Sequence, residues 1–163
     1  MNDYLDDLVL RHRTTGLVID TNIALLFFIG SIAPQQIQQF KRTTKFRVRD
    51  YEILSRFLGL FPALATTPHI LTEIDNLLGR FSVQRREFAD LAETMNEQFF
   101  PATQIMGDKA FPRLGLADGS LLELAKGQRL VLTDDWLLYQ TLTSLGLDAI
   151  NFEHLRESDG FLI

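Results

Sequence analysis

Apolar residues fall along this chain in two kinds of run, short continuous ones and longer ones at helical spacing, and the two kinds alternate. Leu17-Val18-Ile19, Leu64-Ala65-Thr66, Leu130-Val131-Leu132 and Ala149-Ile150-Asn151-Phe152 are the short runs. Each is too brief for a helix, so each predicts a buried strand. Leu5, Leu8 and Val9 mark one side of a helix within Asn2 to Arg13. Thr21 to Ile29 is apolar nearly all round and predicts a buried helix stopped at Gly30. Pro34 can open another helix. Asp50 can cap a further one carrying Ile53, Leu54, Phe57 and Leu58, with Gly59 beyond its end. Thr67 followed by Pro68 reads as cap and first-turn proline for a helix striped by Ile70, Ile74, Leu77 and Leu78 and closed by Gly79. Ser82 opens a long helix in which Phe88, Leu91, Ala92, Met95 and Phe99 recur until Pro101. Ala117 to Ala125 and Trp136 to Leu145 complete the set, ended by Gly127 and Gly146. Short apolar strands alternating with helices predict an α/β fold with a mainly parallel sheet covered on both faces.

At 163 residues the chain is long enough for one domain with a real core. We read 1–163 as that domain, with a more polar helical insertion at about 31–62. An apolar share of 46% and a charged share of 23% exclude a disordered chain. A formal charge of −5 argues against coating a polyanion with the whole surface. With no cysteine, disulfides, thiolate metal sites and a cysteine nucleophile are excluded. The most apolar stretch, Ile23 to Ala33, falls short of the ~20 residues a membrane span needs. The N-terminus is acidic where a signal peptide is basic. The expectation is a soluble, unexported, cytoplasmic protein with no membrane association.

Acidic residues stand at informative places. Asp20 ends the first strand, and Asp134 and Asp135 follow the third. Ligands of open parallel sheets gather beyond the carboxyl ends of the strands, so these acids face the expected functional edge. Asp118 shares a helical stripe with Leu121, Leu122 and Ala125, and Glu73 lies at the margin of the stripe made by Ile70 and Leu77. Charges on apolar faces are costly unless something pairs with them. Each acid also has a plain structural reading, as a helix cap or a first-turn residue complementing the dipole. If Asp20, Glu73, Asp118 and Asp135 converge, each pair at ~4 Å repels by roughly 4 kcal/mol at an effective dielectric of about 20. A divalent cation or a shared proton relieves that repulsion. Oxygen ligands select Mg²⁺ or Mn²⁺, and His12, His69 and His154 show no zinc-site spacing. Such an ion activates water and stabilises charge on a phosphoryl group, which points to phosphodiester hydrolysis.

Taken with their order, the segments LVIDTNIAL (17–25), TPHILTEIDNLL (67–78), LGLADGSLLELA (114–125) and LVLTDDWLL (130–138) resemble a PIN-domain nuclease over residues 17 to about 152. The first and last are the more specific. The resemblance implies a three-layer α/β/α sandwich in which Asp20, Glu73 and Asp118 are the first three metal-binding, catalytic acids. The family's last acid stands two residues after a strand-ending threonine, which makes Thr133 point to Asp135, with Asp134 in reserve. Asn22 and Thr133 match the polar residues that orient the first carboxylate. The implied activity is Mg²⁺- or Mn²⁺-dependent endoribonuclease cleavage of single-stranded RNA. Many small bacterial members are toxins held by an antitoxin, and many are homodimers. The 31–62 stretch is longer than the compact toxins need, and no antitoxin-binding signature is legible.

The segment KRTTKFRVR sets Lys41, Arg42, Lys45, Arg47 and Arg49 around Phe46. In an acidic protein it reads as a phosphate-backbone contact with Phe46 stacking on a base, or as a solvated connector. Trp136 reads as core or dimer surface. No phosphate-cradling glycine loop or serine-hydrolase elbow is present. Two rivals stay open: a catalytically silent PIN scaffold binding RNA or protein, and a structure-selective DNA nuclease.

Overall fold

The computed structural model describes residues 3–79 and 82–158. In chain order it contains helix α1 (Asp3–His12), strand β1 (Leu17–Ile19), α2 (Thr21–Ile32), a 3-10 segment over Pro34–Gln39, α3 (Val48–Leu58), β2 (Leu64–Thr66) and α4 (Pro68–Leu78). Then follow α5 (Ser82–Ala92), β3 (Asn96–Glu97), α6 (Ala102–Met106), α7 (Phe111–Lys126), β4 (Leu130–Thr133), α8 (Trp136–Ser144), β5 (Ala149–Asn151) and α9 (Phe152–Ser158). Among the described residues all five strands run parallel, in the order β3-β2-β1-β4-β5. With helices packed around that sheet, the architecture is the expected three-layer α/β/α sandwich.

The order matters for function. The chain steps from β1 out to β2 and β3, then crosses back to lay β4 on the other side of β1. The gap between the ends of β1 and β4 is therefore the switch point, where connections leave in opposite directions and a crevice opens. Ile19 sits level with Leu132, and the amide of Asp20 extends the ladder by donating to the Leu132 carbonyl at 3.1 Å. The core is continuous from Leu17, Val18 and Ile19 through Leu130, Val131 and Leu132 to the inner faces of α2, α4, α7 and α8. Among the described residues no helix is long and apolar enough to cross a membrane.

Several elements depart from the expectation. Gly30 does not stop α2, which continues to Ile32. It is glycine because Tyr51 of α3 lies against it: a Cβ there would sit 2.3 Å from the Tyr51 ring. Asp50 is not the cap of α3 but its third residue. Its carboxylate accepts from the Arg47 amide at 2.8 Å and takes both arms of Arg156 at 2.8 and 3.0 Å. The long helix from Ser82 ends at Ala92, and the chain then forms β3, a two-residue exposed edge strand against β2. Nothing so short or polar carries a periodic signal. Phe99, placed on that helix's stripe, is 76% exposed instead. Beyond β5, Phe152 begins α9 and does not end the strand. The 31–62 stretch holds the end of α2, a 3-10 segment, turns and α3, and is only partly helical.

Candidate active site

Asp20 follows β1 directly and caps α2, accepting from the Ile23 amide at 2.8 Å. Its other oxygen accepts from the Thr133 hydroxyl and from the Asp134 amide, the latter at 3.1 Å. Thr133 is fully buried at the end of β4, and its hydroxyl in turn accepts from the Asp135 amide at 2.9 Å. That proton can therefore go only towards Asp20. All three groups facing Asp20 are donors, an arrangement that suits a carboxylate and not an acid. Burial opposes it, and the Asp134 carboxylate adds to the opposition; together they push the Asp20 pKa up to about 8 despite the donors. The side chain is wired for a negative charge in a place where that charge is expensive.

The other acids gather nearby. Thr21, the first residue of α2, donates from its hydroxyl to Glu73 of α4 at 2.6 Å. Asp118 lies three residues beyond Gly115, where a positive φ of 75° breaks α7 into two parts. Burial raises its pKa to about 7, with Glu73, Asp135 and Asp134 adding in that order. The helices that carry Glu73 and Asp118 are pinned by the fully buried pair Thr67 and Ser120, whose hydroxyls meet at 2.7 Å. Thr67 also caps α4 through the Ile70 amide. Elements from four regions thus bring acids to the carboxyl edge of β1 and β4.

Two assignments change. Asp135 is the cap of α8, accepting from the Leu137 and Leu138 amides at 2.7 and 3.1 Å, and it is exposed. Asp134, the reserve, is the carboxylate turned inwards, its side chain 6% exposed. Two adjacent acids after a strand cannot both cap the helix, and the second took the cap. Asn22 does not orient Asp20; its amide donates to Asp134 Oδ1 at 3.2 Å. Asp134 Oδ2 is buried without a hydrogen-bond partner, and its contact is an ion pair with Lys45. Thr21 is a site residue that sequence reasoning did not assign, and Lys45, read there as a nucleic-acid contact, pairs with Asp134. Thr21 carries a weak signal, a hydroxyl beside Asp20 on the same helix end; for Lys45 the basic run was legible but its partner 89 positions away was not.

The basic segment also reads differently in three dimensions. Phe46 is 1% exposed, so it cannot stack on a base. It packs edge-on against Phe152 with ring centroids 5.7 Å apart, under the Arg156 guanidinium. Lys41, Arg42, Lys45, Arg47 and Arg49 remain exposed. His69 bonds the Phe100 carbonyl at 3.0 Å. Trp136 is half exposed, edge-on to Tyr139 and His154, and is not core. A cavity of about 390 Å³ opens at the opposite, amino edge of the sheet among Arg11, His12, Arg129 and Asp148. Arg11 and His12 there are both spent on Asp148.

The donor set fits a divalent cation in kind: the carboxylate oxygens of Asp20, Glu73, Asp118 and Asp134 are hard ligands, and one of them, Asp134 Oδ2, already faces a positive charge, the Lys45 ammonium. Asp20 uses three of roughly four acceptor positions, which leaves one. Among the described residues no three acids or histidines are drawn into a ligand cage. No protein-family model matches the chain, and no curated protein sequence matches it.

Proposed function

We propose that this protein is a PIN-like, metal-dependent phosphodiesterase that cleaves single-stranded RNA in the cytoplasm. One observation carries the reading: Asp20, at the switch point, is held by donors alone while burial and Asp134 raise its pKa to about 8. Added positive charge at that spot reconciles the wiring with the burial. Asp20, Glu73, Asp118 and Asp134 would hold the cation, with Asp135, the cap of α8, beside Asp118. When bound, Mg²⁺ or Mn²⁺ supplies charge stabilisation for the phosphoryl group and activates water. Thr133 fixes the rotamer of Asp20 and favours its charged form, Asn22 and the Lys45 ammonium hold Asp134, and Thr21 positions Glu73. The exposed cations Lys41 and Arg42 attract the phosphate backbone.

The test is cleavage of a labelled single-stranded RNA with Mn²⁺. Wild type is expected to cut, excess chelator to stop it, and Asp20→Asn to lower the rate by about 10³-fold or more, in keeping with losses of a principal electrostatic group. Full cleavage in chelator or by the variant would refute the reading. Running flapped DNA in parallel decides between RNA and DNA. A second reading, a silent scaffold that binds RNA or protein, draws on the Lys45–Asp134 ion pair, because there the protein provides its own cation. RNA binding without any Mn²⁺ uptake would favour it. The resemblance extends to a toxin held by an antitoxin and to a homodimer; both belong to this proposal.

A further inference from the structure

Among the described residues, the inward acid at the end of β4 is paired with a cation from far away in sequence. Lys45 comes from the turn before α3, 89 positions from its partner Asp134 at the end of β4, yet its ammonium reaches a carboxylate whose side chain is only 6% exposed. The turn that delivers it is built to stay in place. Thr43 is fully buried and donates to the Ile37 carbonyl at 2.6 Å, while its own carbonyl takes the Phe46 amide at 2.9 Å. Phe46, the next residue after Lys45, is sunk against Phe152 of α9. Arg156 lies over both rings and clasps Asp50 at the start of α3. So the backbone on either side of Lys45 is anchored, while its side chain is 55% exposed. Asp134 Oδ2 is taken by Lys45 and Oδ1 by the Asn22 amide, so a cation approaching Oδ2 meets the ammonium first.

We propose that Lys45 is a resident counter-ion of the carboxylate cluster, which a divalent cation must displace from Asp134 in order to bind. The inference rests on the metal-dependent reading above. An ammonium and a divalent cation cannot both lie against the same buried oxygen, since like charges at that distance repel. Lys45 therefore sets the metal affinity: it keeps the metal-free cluster from holding uncompensated charge, and it weakens cation binding by the strength of its own ion pair.

The experiment is Mn²⁺ binding, followed by the paramagnetic resonance of free Mn²⁺, with wild type, Lys45→Met, Lys41→Met, Asp134→Asn and the Lys45→Met/Asp134→Asn double variant. Loss of Lys45 is expected to tighten Mn²⁺ binding about tenfold, the scale of one partly exposed ion pair next to a buried carboxylate. Lys41→Met, an equal change of net charge on the same exposed turn, is expected to leave the affinity within about twofold at 0.15 M salt, where charges that far apart are screened. In the Asp134→Asn background the effect of Lys45→Met should vanish. Metal-free Lys45→Met should also melt at a lower temperature than wild type and gain more on adding Mn²⁺, since its Asp134 is left buried and unpaired. Unchanged or weaker Mn²⁺ binding in Lys45→Met, or the same gain in Lys41→Met, would overturn the role of Lys45 while leaving the metal site intact. Absence of Mn²⁺ binding in wild type and all variants would overturn the metal-dependent reading itself, and this inference with it.

Discussion

At the scale of single residues, the behaviour of the site turns on where protons reside. Asp20 and Asp118 have pKa values of about 8 and about 7, raised chiefly by burial, well above those of unfolded carboxylates. The metal-free native state therefore keeps protons that the unfolded chain gives up between about pH 4 and 8. Stability from these groups is fully present below that window and declines as pH rises through it. Urea melts of metal-free protein should show stability falling by on the order of a few kcal/mol from pH 5 to 8.5. Asp20→Asn should flatten much of that decline, and a decline of equal depth in the variant would show that Asp20 is not its source. Mn²⁺ should counter the fall at pH 8, because binding competes with the protons. Asp20 itself was legible from its place after a strand. The choice between Asp134 and Asp135 was not, because sequence spacing does not tell which of two adjacent acids a helix end will take.

At the scale of elements, what positions the site is a set of close fits between helices. Gly30 lets the Tyr51 ring of α3 lie on α2, the helix that Asp20 caps. Gly30→Ala should cost roughly 1–3 kcal/mol by overpacking, read as a lower denaturation midpoint at unchanged slope. A midpoint within error of wild type would mean that Tyr51 swings aside freely. The Thr67–Ser120 pair ties α4 to α7 and so Glu73 to Asp118. Thr67→Val removes both that bond and the α4 cap and should cost about 1–2 kcal/mol, measured by the same melts. Thr67 was read correctly as a cap from the proline that follows it. Its second bond, across 53 positions, leaves no trace in local pattern. Gly30 was misread for the opposite reason: a glycine that ends a helix and one that admits a neighbouring ring look alike in sequence.

At the scale of the whole molecule, the alternation of apolar strands and helices was enough to predict a parallel α/β sheet, because buried parallel strands are continuous apolar runs. Edge strand β3, two exposed residues long, lacked that signature. Strand order was also out of reach, although it creates the switch point where Asp20 and Asp134 meet. The charge distribution is likewise a property of the assembled fold. An acidic protein presents Lys41 and Arg42 on the turn that also sends Lys45 to the acids. Reversing both exposed charges, Lys41→Glu with Arg42→Glu, should weaken RNA binding and reduce the slope of log affinity against log salt by about 1–2. An unchanged slope would remove this turn from the RNA path. The most direct measurement of metal binding at this edge is a crystal of the protein soaked in Mn²⁺ and recorded for anomalous scattering. A peak is expected beyond the ends of β1 and β4, flanked by Asp20, Asp118 and Asp134, with Lys45 turned away. Full Mn²⁺ exposure with no peak among these acids, and Lys45 still on Asp134, would contradict a metal site there.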